Sequence, residues 1–305
     1  MIDGGARAWV HAPVGRSGVQ LRCAADLSPA VMAALAALVA DDAAVEALPR
    51  LGTGRRAVVG RLLVDGRRLV VKRYTSPGVF LLRTVGQRSK GQREAEALRM
   101  IQERTGNPIQ PLAWAERRRL GMIPVSWLVT EELPDAVDLR RLRRSEDPAE
   151  RAWVKQATLA HLPAFLAGLH RAGVAAGNLM AKNVLLQRGS ERLALIDQPH
   201  ARACAALGPR LRLFDLASLF RELRHGLDPQ ETRAFLRDYL QALGPARADE
   251  LDEIERALGL AVARRAHETP LRRAWHRARA WFKRTRLGQL LSGHSYDDHD
   301  REHAA

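Results

Sequence analysis

The segment from Val58 to Tyr74 constrains the fold more than any other. Two β-branched runs, Val58–Val64 and Leu69–Tyr74, are separated by Asp65-Gly66. That dipeptide accepts positive φ at the turn and matches the twist of a tight hairpin. An isolated hairpin is marginal in water, so this one needs further strands or a helix over its apolar face. A glycine turn, Leu51 to Gly54, precedes it. The periodicity of residues 89–104 predicts a helix after it, with Ala95, Leu98 and Ile101 on one side. Ser126–Thr130 reads as a further strand leading into an acidic connector, Glu131–Asp138. Beyond Asp138 helical patterns dominate, at 148–172, 212–225 and 229–243, with one short β interruption at 183–197. Upstream, residues 27–48 read as one helix or two short ones, with Ser28 as N-cap and Pro29 at the first helical position. A small β-rich lobe, a connector and a larger helical lobe make a two-lobed α+β architecture. The expected boundaries are a helical extension over 1–48, a β-rich lobe over 49–132, a helical lobe over 133–258, and a basic amphipathic helix with an untied tail over 259–305.

Composition removes several classes. The 305 residues are 46% apolar, too many for a wholly disordered chain. The longest near-apolar run, Ala30–Ala40, is far short of the roughly 20 residues that cross a bilayer. The opening MIDGGARAWV lacks the charged-then-apolar pattern of a secretory signal. Cys23 and Cys204 are the two cysteines. A disulfide framework or a cysteine zinc site is therefore not expected, and a reducing cytoplasm is.

The chain carries 49 Lys and Arg against 34 Asp and Glu, a net +15. Much of that excess falls between Arg264 and Arg286, where nine basic residues face the single acid Glu268. Trp275, Trp281 and Phe282 lie among them. A helix of this composition suits an anionic membrane surface. Packing on the domain as a solvated basic helix is the bland reading. Nucleic acid is disfavoured, because no zinc-finger, RRM or helix-turn-helix signature accompanies the charge. The histidines at 294, 299 and 303 fit an untied terminus better than a metal site.

Four signals carry chemistry, and each has an ordinary structural reading. Gly52 and Gly54 let a backbone approach phosphate closely. No Gly-Lys-Ser/Thr follows, so this is not a Walker loop. Ala57 stands where a kinase loop would place a third glycine, and Val59 where an apolar residue would cover an adenine. Lys72 ends an apolar strand about twenty residues after the glycine turn, an arrangement that pairs an ammonium with nucleotide phosphates. Taken alone it reads as an edge lysine in water. Glu94, on the next helix and four residues before Leu98, supplies a counter-charge; Glu96 competes for that role. Finally, Leu169–Leu186 holds Asn178 and Asn183 in a loop, and Leu195-Ile196-Asp197 follows. Asn183 and Asp197 offer hard oxygens of the kind Mg²⁺ prefers.

Glycine turn, strand lysine, helix glutamate, acidic connector, polar loop and strand-end aspartate occur in one order, from about Leu51 to about Leu223. In that order the sequence resembles the protein-kinase-like superfamily, and within it the bacterial lipopolysaccharide kinase family. The aminoglycoside phosphotransferases are a weaker resemblance. The resemblance implies a protein-kinase-like fold and phosphoryl transfer from ATP with Mg²⁺. It implies that Gly52 and Gly54 cover the phosphates, that Lys72 contacts them and pairs with Glu94, and that Glu131 to Leu133 offer backbone groups to adenine. It further implies that Asn183 and Asp197 hold the metal. Asp215 matches the helix aspartate that braces the catalytic loop. The acceptor implied is a lipopolysaccharide core sugar or another anionic membrane lipid, at the cytoplasmic face of the inner membrane.

The chain also departs from the family. The base position holds Asn178, in Ala176-Gly177-Asn178; Met180 follows two residues on; Gln198-Pro199 replaces Phe-Gly. An amide accepts a hydrogen bond from a hydroxyl but does not take its proton at neutral pH. Two outcomes stay open: a slow phosphotransferase, or a nucleotide-binding pseudokinase that regulates a protein partner.

Overall fold

The computed structural model describes residues 8–54, 57–177, 179–244 and 248–266. The chain divides into a unit of residues 1–258 and a unit of 259–305. Of the latter only 259–266 are described, as the end of a helix. The basic segment 264–286 and the histidines at 294, 299 and 303 therefore lie outside the described side chains. Among the described residues no helix is long and apolar enough to cross a membrane.

A seven-stranded antiparallel sheet dominates the first part. Its strands are β1 (Trp9–Ala12), β2 (Val19–Ala24), β3 (Arg50–Gly54), β4 (Ala57–Val64), β5 (Arg67–Thr75), β6 (Pro111–Arg119) and β7 (Met122–Glu131). The spatial order is β1-β2-β6-β7-β5-β4-β3. The β4–β5 hairpin turns on Asp65 (φ 52°) and Gly66 (φ 70°), the two left-handed residues its sequence demands. Lys72 is paired directly with Val59 on β4 and Leu128 on β7, so all three share one face.

Each face of the sheet has its own apolar layer. Helix α1 (Pro29–Ala40) covers one, where Leu35 and Val39 meet Leu69, Val71, Trp127 and Val129. The Ser28 hydroxyl caps it, accepting from the Val31 N–H at 3.3 Å. A single turn, α2 (Val79–Leu82), then leads to α3 (Lys90–Thr105) on the other face, whose Ala95 and Leu98 pack with Tyr74 and Leu128. Ser89 caps α3 and left-handed Gly106 ends it. Removing a wholly buried side chain such as Leu98 by Leu98→Ala would cost about 2–5 kcal/mol.

Two differences from the sequence reading stand out. Residues 9–24 were expected to lie outside the β-rich lobe, in a helical extension. They are β1 and β2, and β2 joins the sheet by pairing with β6. Strand β6 itself has no counterpart in the sequence reading. Its Glu116 to Arg119 run looks like solvent-facing charge, yet Ala113 and Ala115 are buried and Glu116 pairs with Arg118.

The helical part begins after β8 (Ala136–Asp138) and a four-residue turn, α4 (Arg141–Arg144). It contains α5 (Pro148–Arg171), α6 (Pro209–Leu223), α7 (Pro229–Leu243) and α8 (Ala248–Ala266). Pro148 and Pro229 open their helices behind aspartate caps, Asp147 and Asp228, and the latter forms a full capping box with Glu231. Phe220 of α6 and Phe235 of α7 meet edge to face at 5.0 Å between centroids. The β interruption consists of β9 (Val174–Ala175), a 3₁₀ turn at Ala181–Asn183, β10 (Val184–Gln187), β11 (Leu193–Leu195) and β12 (Arg202–Ala203). Strand β10 lies between β11 and β8, and β9 pairs with β12. Both cysteines are free thiols, and burial pushes Cys23 up to about 11.

Candidate active site

The close approach of α3 to β7 sets the site. A Cβ on Gly91 would lie 2.2 Å from the Trp127 carbonyl oxygen, so only glycine lets the helix start this near the strand. One turn later Glu94 arrives opposite Lys72. The Lys72 ammonium donates to Glu94 Oε1 at 2.7 Å. Glu94 is wholly buried and Lys72 is 12% exposed. The Tyr74 hydroxyl donates to the second oxygen, Oε2. Tyr74 lies two residues beyond Lys72 on β5, hence on the same face. Burial, and then the nearby Glu94 charge, raise the Tyr74 hydroxyl well above the ordinary tyrosine range. It therefore stays a donor at any physiological pH.

Across from this pair lies Asp197, in the left-handed region at φ 52°. A non-glycine residue there costs about 1 kcal/mol, a strain that clusters at functional positions. Asn183 is buried, and its amide donates to the Asp197 backbone oxygen at 3.3 Å. That bond occupies the nitrogen, leaving the Asn183 carbonyl oxygen and the Asp197 carboxylate as two hard oxygen donors. Such a pair fits Mg²⁺, which is commonly held by one or two protein oxygens together with substrate phosphates. Lys90, at the start of α3, brings its ammonium within 3.7 Å of Asp197 Oδ1 and 4.2 Å of the Tyr74 ring centre. Lys90 was not among the residues read from the sequence, since nothing distinguishes it from the many other surface cations.

The loop leading into position 178 is fixed from below. Asp215 on α6 is wholly buried and accepts from the N–H groups of Ala176 (2.7 Å) and Gly177 (2.9 Å). Gly177 is left-handed at φ 73°, and a Cβ there would lie 2.7 Å from the His200 carbonyl oxygen. His170 sits beneath, its Nδ1 bonded to the Tyr239 hydroxyl at 2.7 Å. Its Nε2 is 3.6 Å from Asp215 Oδ2, too long for a hydrogen bond. Asn178 lies outside the described residues.

Gly52 and Gly54 lie on β3, paired with Val59 and Ala57, so the glycine segment is strand rather than turn up to Gly54. A Cβ on Gly52 would meet open space. The Glu131 side chain pairs with Arg67 at 3.0 Å, and Glu132 holds Arg61 at 2.7 Å. The backbone N–H groups of Glu131 and Glu132 go to Gln110 and Arg68 oxygens. Those two donors serve the sheet, which leaves Leu133 as the backbone donor of that segment.

A β-sheet lobe joined to a helical lobe, with a strand lysine held by a helix glutamate, defines a protein-kinase-like fold. The profile of the lipopolysaccharide kinase (Kdo/WaaP) family matches residues 81–239, and the chain belongs to that family. Among solved structures it is similar to WaaP in complex with acyl carrier protein, at 26% identity and a TM-score of 0.51, over 73% of this chain and 90% of that one. It also matches a rhoptry antigen kinase domain of Toxoplasma gondii, at 13% identity and a TM-score of 0.44, over 70% of this chain and 82% of that one. No protein of curated function matches the chain.

Proposed function

We propose that the protein transfers the terminal phosphoryl group of ATP to a hydroxyl of a lipopolysaccharide core sugar, slowly, because Asn178 stands at the base position. The observation that carries this reading is the Lys72–Glu94 pair, held by Tyr74 on the side of the sheet that meets Asp197. Family membership supports the kinase class.

In this reading the Lys72 ammonium, aimed by Glu94, neutralises phosphate oxygens, and the glycine backbone at 52 and 54 covers them. Val59 supplies an apolar surface to the base, and Glu131 to Leu133 supply backbone groups, Leu133 the donor. Asn183 and Asp197 would hold Mg²⁺, which supplies charge neutralisation to the phosphates when bound. Asn178 orients the acceptor hydroxyl by accepting its hydrogen bond but leaves its proton in place. A general base is worth about 10²–10⁴-fold. Positioning and electrostatics carry much of phosphoryl transfer, so a slow reaction survives that loss. The basic segment 264–286 suits contact with an anionic inner-membrane surface. Acyl carrier protein, present in the solved WaaP complex, is the protein partner to test first.

The test is transfer of labelled γ-phosphate to lipopolysaccharide core acceptors. Wild-type turnover above Asn183→Ala and Asp197→Ala supports the reading, and equal turnover in all three rejects it. The second reading, a nucleotide-binding regulator, is favoured by Asn178 together with Gln198, whose wholly buried amide replaces the usual phenylalanine and folds back onto Ile196 O at 3.0 Å. Thermal stabilisation by Mg·ATP without transfer would support it. A gain of about a hundredfold on Asn178→Asp would mean that only the base was missing.

A further inference from the structure

A concavity opens beside the loop that follows position 178. It is a pocket of about 210 Å³ whose lining includes Arg140, Arg143 and Arg144, Met180 and Lys182 from the loop and its 3₁₀ turn, and Glu222 on α6. Its walls are built rather than draped. The Leu139 N–H donates to the Ala181 and Val184 carbonyls, both at 3.1 Å, tying the arginine turn to the loop. Buried Leu142 packs so tightly on Gly226 that a Cβ there would come 2.5 Å from its Cγ.

The charges of this pocket do not balance. Two neighbouring arginines have carboxylates: Arg140 grips Asp138 with two bonds, at 2.9 and 2.6 Å, and Arg141 lies 3.6 Å from Glu150. Arg143, Arg144 and Lys182 have no carboxylate partner among the described residues. Glu222 is the one acid in the lining, and its buried Oε2 accepts no hydrogen bond among the described residues. With Arg140 held by Asp138, three cations, Arg143, Arg144 and Lys182, share the concavity with one anion. A cleft lined by one sign of charge focuses its field and concentrates counter-ions. Guanidinium groups match the oxygens of a phosphate in geometry as well as charge.

Position gives this imbalance a use. Lys182 immediately precedes Asn183, and Met180 is two residues beyond Asn178. We propose that the pocket binds a phosphate group carried by the acceptor, anchoring the acceptor beside the loop while a separate hydroxyl reacts. The assignment of the phosphate to the acceptor rests on the kinase reading; binding of the anion itself does not.

The test uses the full chain and two probes: deacylated lipopolysaccharide core oligosaccharide with its phosphates, and the same oligosaccharide dephosphorylated with hydrofluoric acid. Calorimetric titration should show the phosphorylated probe binding at least about tenfold tighter, ~1.4 kcal/mol. The Arg143→Gln/Lys182→Gln double variant should lose that preference while keeping its thermal stabilisation by Mg·ATP. The exposed single variant Arg144→Gln should weaken the preference on its own, which keeps the test open if the double variant does not fold. Equal binding of the two probes by wild type, or an undiminished preference in a folded double variant, overturns the proposal. Inorganic phosphate competing as well as the oligosaccharide would mark a free-ion site and overturn the acceptor assignment. Selective binding of the phosphorylated probe with no Mg·ATP stabilisation in wild type would sink the kinase reading and uphold the anion pocket.

Discussion

Lys72 and Arg73 are neighbours on β5, and the pleat sends them to opposite faces of one sheet. Each is paired with a glutamate, Lys72 with Glu94 and Arg73 with Glu46, and each cation is 12% exposed. The acids differ. Glu94 is wholly buried, fixed by a second donor, Tyr74, whereas the Glu46 side chain is 47% exposed. Around Arg73 the charges form a loose network in which Asp42 takes Arg117 at 2.9 Å and Arg16 at 3.3 Å. Water can reach the acids of that network, since the Asp42 and Glu46 side chains are each nearly half exposed. It cannot replace Lys72, because Glu94 has no solvent to turn to. The same kind of ion pair thus ties down a surface on one face and fixes an ammonium against a sealed carboxylate on the other.

The comparison breaks most readily at Lys72. Lys72→Met should lower phosphate transfer by about 10²–10³-fold, the usual loss for one positioned electrostatic donor. It should also lower stability by ~3 kcal/mol in urea, because a buried carboxylate loses its partner. Arg73→Met should cost no more than ~1 kcal/mol and leave transfer nearly unchanged. Comparable losses in the two variants would erase the distinction. Next in size is Asp215→Ala, which strands the N–H groups of buried Ala176 and half-buried Gly177. Its expected cost is ~3 kcal/mol, read by urea unfolding, with faster hydrogen exchange at those two amides.

Tyr74→Phe comes third, at ~1.5 kcal/mol for one hydrogen bond to a charged acceptor. The Tyr74 hydroxyl is raised in the folded state. Its contribution is therefore complete below the unfolded value near 10 and lost as pH rises further. The stability gap between wild type and Tyr74→Phe should stay flat from pH 7 to about 9.5 and narrow above it. A gap that narrows near pH 8 would contradict the shielded environment of Tyr74. The smallest effect belongs to Asp42, whose carboxyl the Arg117 hydrogen bond holds below the ordinary range. Its contribution is present above the unfolded value of about 3.9 and lost as pH falls through the lower folded value. Wild type should lose slightly more stability than Asp42→Asn below pH 4, and less so in high salt, as befits a half-exposed group. A large, salt-independent difference would place Asp42 with Glu94 rather than opposite it.

Much of this arrangement is legible in the residues themselves. Asp65-Gly66 dictates a hairpin because few other pairs accept its dihedrals. Ser28-Pro29 marks a helix start because the Ser28 hydroxyl satisfies an orphan N–H group. A strand lysine followed by a helix glutamate is a short-range pattern, since only the single turn α2 separates the two elements. Tyr74 carried a signal too, two positions from Lys72 and so on its face. Strand β2 went unread although Val19, Leu21 and Cys23 alternate with Gln20 and Arg22, because six residues make a short signal and the partner β6 lies some ninety residues away. Lys90 and the imbalance among Arg143, Arg144 and Lys182 were hidden for the same reason.

Local grammar by itself determined the β4–β5 hairpin, the start of α1, the apolar side of α3 and the order of groups along the chain. Only the packed structure decided which charges lose their water. Burial depends on what arrives from elsewhere: Gly91 lets α3 close on β7, Glu94 is sealed, and Lys72 is its ion partner at 2.7 Å. Desolvation is a property of a place, and no residue carries it along the sequence.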